Sequence, residues 1–99
     1  MALIEQQGQR LVIRGAMTVE TVGTLLNESL PLLAADVEID LGEVDDVDSS
    51  AISLMFEWLR LAQDRKVAVT YANLPSTMIS LAKLYEVLEI IPQRAGAAH

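Results

Sequence analysis

Residues 44–63 read VDDVDSSAISLMFEWLRLAQ, and the arrangement of the whole chain turns on how they are parsed. Three aspartates precede two serines, and a strongly apolar helix follows. Asp48 is the expected N-cap, because a short carboxylate there can accept from the free N–H groups of the first turn. Val47 and Ile52 then stand at the N′ and N4 positions of a hydrophobic staple. Ser49 and Ser50 become the first two helical residues, at the positive end of the helix dipole and facing solvent. Capping alone accounts for such a string. The helix carries a second signal. At a hundred degrees per residue, Ser53, Glu57, Arg60 and Asp64 fall on a narrow polar strip, while apolar residues fill most of the remaining circumference. A helix lying on one sheet needs an apolar stripe only a little over a hundred degrees wide, and this arc is about twice that. Ile52, Met55 and Leu59 can face a sheet, with Phe56 at one margin and Leu54, Trp58 and Leu61 at the other. Either neighbouring helices cover both margins, or a protein-binding surface begins beside the serines. In the second case Asp48, Ser49, Ser50, Leu54, Trp58 and Leu61 form it.

Outward from this helix, strands and helices alternate. Residues 3–5 and 11–15 read as a hairpin turning around 7–9. Thr18 suits a helix N-cap with Met17 stapled onto Val22, and Val19, Val22, Leu25, Leu26, Leu30 and Leu33 keep a helical period. Pro31 should kink that helix or end it near Ser29. Residues 37–41 alternate with period two as a strand, 42–47 read as a loop, and 66–71 form a further, more continuously apolar strand. A last helix is expected over 75–86, with Pro75 in its first turn and Met78, Leu81 and Tyr85 spaced as core residues. Residues 88–92 are a short strand or a packed tail, and 95–99 a disordered end. The order implies a single α/β domain over 1–94: a mixed sheet of four to five strands with helices packed against it, in which 37–41 and 67–71 are interior.

Composition narrows the chemistry. The chain has 99 residues, 52% hydrophobic and only 4% aromatic, so its core is aliphatic. It has no cysteine, which excludes disulfides, thiolate nucleophiles and Cys-based zinc sites. Its one histidine is His99, the last residue, which leaves no base to activate Ser49 or Ser50. A net charge of −7 argues against nucleic acid and anionic membranes as partners. No apolar run reaches transmembrane length, and the first residues lack the order of a signal peptide, so a cytoplasmic protein is expected. Asp46-Val47-Asp48-Ser49-Ser50 superficially matches the DxDx[ST] of haloacid-dehalogenase phosphatases, without the room for that fold. Asp45, Asp46 and Asp48 lack the glycine and glutamate spacing of an EF-hand, and there is no phosphate-binding loop. A non-enzymatic protein without cofactor or metal is the reading.

The stretch DLGEVDDVDSSAISLM, in this order of elements, resembles the STAS domain family, whose members carry D-[ST]-x-G-L at a helix start. The likeness runs from Leu11 to about Ile91, with Ala51 standing where the family usually has glycine. It implies one of two functions. In anti-sigma-factor antagonists a serine of the motif is phosphorylated by an anti-sigma-factor kinase, which makes Ser49 and Ser50 phosphoacceptor-like and switches partner binding off. In the other branch the domain is a small cytoplasmic subunit that docks on the ATPase of an ABC transporter, peripheral at the inner membrane. The string from Asn73-Leu74-Pro75 to Val87 is similar to STAS subunits of Mla-type phospholipid transporters, and the ATPase branch is favoured.

Overall fold

A computed structural model describes residues 3–93. The expected disordered end at 95–99 lies outside the described residues. Two strands, β1 (Leu3–Gln7) and β2 (Arg10–Met17), form the antiparallel hairpin, turning at Gly8 in the left-handed region (φ 64). Helix α1 (Val22–Ser29) leads through a single 3-10 turn (Leu30–Leu32) to β3 (Val37–Val47). Helix α2 (Ser49–Arg65), β4 (Val69–Ala72) and helix α3 (Ser76–Leu84) follow, with a second 3-10 turn at Leu88–Ile90. The sheet runs β1-β2-β3-β4, antiparallel in its first pair and parallel in the other two. Parallel crossovers are right-handed, so successive connections in one direction put their helices on one face. Accordingly α2 touches both α1 and α3.

Between sheet and helices lies one aliphatic core. Leu11, Ile13, Ile39 and Leu41 point into it from β2 and β3, and Leu25, Met55, Trp58, Met78 and Ala82 from the helices, all with no exposed surface. The opposite sheet face carries an ionic mesh. Arg10 bridges Glu38 and Asp40 (2.7 and 3.0 Å), and Arg14 pairs with Glu43 (3.0 Å) and Glu5. Asp40 is nearly buried and also accepts from the Gly42 N–H and the Asn73 side chain. A Cβ on Gly42 would stand 3.1 Å from both Asn73 and the Asp40 carboxylate, so any larger residue at this point of β3 would have to displace one of them by a few tenths of an ångström.

Several boundaries differ from expectation, each for a physical reason. The segment 42–47 is strand, not loop. Val12 pairs with Asp40 and Arg14 with Glu43; Gly15 pairs with Val44 and Ala16 with Asp46. Each step places one extra residue in β3, and Gly15 meets the second bulge with φ 90. Two bulges stretch the apolar spacing from 37-39-41 to 41-44-47, which conceals a strand from any period-two reading. Helix α1 starts at Val22 with Thr21 as N-cap, because Thr18 is spent on a turn: its carbonyl accepts from the Thr21 and Val22 N–H groups. The helix does end at Ser29, before Pro31. Pro75 is the N-cap of α3 rather than within its first turn, and Tyr85 is 48% exposed, not core.

β3 is interior as expected, whereas β4 is the last strand of the sheet. Its outer edge is nevertheless closed: the Tyr71 N–H donates to the Pro92 carbonyl, and Gln93 forms a parallel bridge with Tyr71. Residues 88–92 therefore divide between a 3-10 turn and an edge cover.

Candidate functional site

The start of α2 is built around Asp48. Its backbone is extended, its Oδ1 accepts from the Ser50 N–H at 2.8 Å, and its carbonyl accepts from the Ala51 N–H. Its Oδ2 reaches a different segment, accepting from the Val19 N–H at 3.0 Å. The Asp48 N–H in turn donates to the Met17 carbonyl. One side chain thus caps the helix and ties it to the loop entering α1. The Val19 N–H foremost, against a smaller opposing effect of desolvation, holds the Asp48 carboxyl below its ordinary pKa. A carboxylate so committed is a poor proton acceptor.

Ser49 is exposed at the first position of α2, and Ser50 is half-buried at the second. Ala51, where a glycine was the family expectation, has no exposed surface. Its methyl group points into the core, so the substitution leaves the surface around Ser49 unchanged. Asp45 and Asp46 are exposed on the last residues of β3, directly before the cap. Among the described residues no three acidic or histidine side chains gather closely enough to hold a metal ion.

The apolar margin of α2 is largely covered. Trp58 has no exposed surface, and its indole N–H donates to the Ser29 hydroxyl at 2.7 Å. Its ring lies 6.3 Å from that of Tyr71, whose hydroxyl donates to the Met55 carbonyl at 2.6 Å. The expectation that Trp58 contacts a partner is therefore corrected: α1 supplies a polar acceptor at its last residue, and the indole turns inward to meet it. Leu54 is likewise 4% exposed and can contribute only as the floor of a depression. Leu61 is half-buried and packs against the core, next in sequence to Arg60, which pairs with Glu57 and Asp64.

That depression is an open groove of about 340 Å³ between α1 and α2. Val22, Gly23 and Leu26 form one wall; Ser50, Ser53, Leu54 and Glu57 form the other. Val19 stands 71% exposed in the loop that Asp48 holds. The α1 wall was not legible because Val22 and Leu26 keep the helical apolar period and read as core positions, whereas both are only half-buried and line the groove. The one available signal was Gly23, a glycine inside an apolar helical run.

Comparison with known proteins follows the same lines. A family model described as "Mlab, STAS domain" matches residues 2–92. No curated protein sequence matches the chain. Among solved structures, a putative anti-sigma factor antagonist from Thermotoga maritima superposes with a TM-score of 0.75 at 9% identity, over 93% of this chain and 84% of that one. The Bacillus cell fate determinant SpoIIAA in its phosphorylated form gives 0.68 at 14% identity, over 95% and 91%. The anti-sigma factor antagonist SpoIIAA in its unphosphorylated form gives 0.68 at 15%, over 94% and 86%. At such identities these likenesses establish the fold.

Proposed function

This chain belongs to the STAS domain family, and from that premise we propose that it is a non-catalytic binding subunit docking on the ATPase of a Mla-type phospholipid ABC transporter. There it supports assembly or activity of the complex. The observation that carries the reading is the description of the matching family, which names the Mla branch over nearly the whole chain. The local chemistry agrees with binding rather than turnover. The carboxylate next to Ser49, Asp48, already accepts from two backbone N–H groups and is a poor base for activating that hydroxyl. No helix among the described residues is long and apolar enough to cross a membrane; in the proposed complex the transporter holds the subunit at the cytoplasmic side of the inner membrane. The contact surface is the first turn of α2, with Ser49 exposed, and the groove beside it.

The likeness to phosphorylated and unphosphorylated antagonists favours a second reading, a phosphorylation-controlled switch with an anti-sigma-factor kinase. A phosphate on Ser49 would bring nearly two negative charges next to Asp48 and close in sequence to Asp45 and Asp46. The Ser50 N–H that could receive it already binds Asp48. Routine phosphorylation is disfavoured on these grounds.

Calorimetric titration against the purified ATPase of the native host's Mla-type transporter tests the proposal. Wild type should bind, and Ser49→Asp should bind roughly tenfold more weakly at an unchanged melting temperature, because the first helical turn tolerates an acid. Absence of wild-type binding, together with a substantial phosphorylated fraction at Ser49 or Ser50 by intact mass, would establish the switch instead.

A further inference from the structure

Gly23 is the second residue of α1, yet nothing among the described residues calls for glycine there. Its φ is not positive, and a Cβ built on it would meet no heavy atom within 4 Å. Glycine is the poorest helix former after proline, so the position is unfavourable for the isolated domain. It lines the α1–α2 groove, and a side chain there would stand in open space. A glycine with no internal purpose on a groove wall is explained by close approach of a partner's backbone.

Charge identifies the occupant. The segments that build and flank the groove, 18–29 and 44–64, hold seven carboxylates and one arginine, which pairs with Glu57 and Asp64. The remaining seven acids of the chain, Glu43 on the opposite sheet face among them, stand against six lysines and arginines. Six of the seven net negative charges therefore belong to these two segments. The groove itself is lined by the apolar Val22, Leu26 and Leu54, with the polar Ser50, Ser53 and Glu57 along α2.

Resting on the ATPase reading above, we infer that the groove receives a basic amphipathic helix of the partner. One apolar side chain of that helix enters over Leu26 and Leu54, its backbone passes against Gly23, and its lysines or arginines face the surrounding carboxylates. This is helix-in-groove recognition, with the charges setting orientation. A second copy of this chain is a poor occupant, because two such acidic surfaces repel.

The test uses the full chain and the same purified ATPase, with Gly23→Ala and Gly23→Met measured for both melting temperature and affinity. Gly23→Met should bind at least about tenfold more weakly, while both variants melt at or above the wild-type temperature because the glycine has been removed from a helix. Wild-type affinity should fall at least about fivefold between low and high salt. If wild type binds but Gly23→Met binds equally well, or if salt has no effect, the groove assignment is wrong while the ATPase reading stands. If wild type does not bind at all, both fall together.

Discussion

The contact between Trp58 and Ser29 makes a quantitative prediction. The indole N–H and the serine hydroxyl are both fully buried, 2.7 Å apart, and the hydroxyl in turn donates a hydrogen bond to the Leu26 carbonyl at 2.8 Å. Replacing Ser29 with alanine strands the indole donor in an apolar interior, which costs about 1–3 kcal/mol. Taking about 2 kcal/mol for a domain of this size, the melting temperature should fall by about 8–16 °C. Replacing Trp58 with phenylalanine removes the donor and leaves a void. In that background Ser29→Ala strands nothing, and its further cost should drop below about 1 kcal/mol. Urea unfolding of wild type, both single variants and the double variant, followed by circular dichroism, gives the coupling directly. A coupling of at least about 1 kcal/mol is expected. Equal costs of Ser29→Ala in the two backgrounds would refute the argument that an unmet indole donor is what Ser29 prevents. The same geometry predicts that Trp58→Ala loses about 3–5 kcal/mol of stability and, where folded, binds its partner normally.

Other perturbations follow from single contacts. Asp48→Ala removes the acceptor for the Ser50 and Val19 N–H groups and should lower the melting temperature at neutral pH. Because the folded carboxyl is held below its usual value, its contribution is present above the unfolded pKa and is lost as pH falls through the folded one. Thermal melts of wild type and variant should therefore converge in acid; a constant gap would contradict the assignment. Burial pushes the Tyr71 phenol well above its usual pKa, so its stabilising effect is lost as pH rises beyond about 10. Ultraviolet titration should show Tyr71 ionising only with alkaline unfolding, and Tyr71→Phe, which forfeits the bond to the Met55 carbonyl, should cost about 1 kcal/mol.

Regular periods made much of this fold readable, and interrupted periods hid the rest. The hairpin, the β3 start at Val37, the cap at Asp48 and the stop at Ser29 rest on local chemistry that a sequence displays. The continuation of β3 to Val47 was invisible because its two bulges answer to the partner strand, not to the sequence of β3 itself. Trp58 shows the same limit at the site. Its place on a helix is legible, but whether it faces solvent depends on Ser29, twenty-nine residues away. The serines were found from capping logic. The groove was not, since it exists only once α1 and α2 are laid side by side.

The strand order β1-β2-β3-β4 repeats the order of synthesis. A chain leaving the ribosome can therefore add each strand to the one just completed, without reserving a gap for a later arrival. At every stage the newest strand exposes its outer edge, and an open edge is where nascent chains stick to one another. For β4 that interval ends only when Pro92 and Gln93 emerge and reach Tyr71. Some twenty residues of translation, including all of α3, separate the hazard from its cover. Chains interrupted within α3 should for this reason aggregate more readily than the completed protein, although they already contain every strand of the sheet.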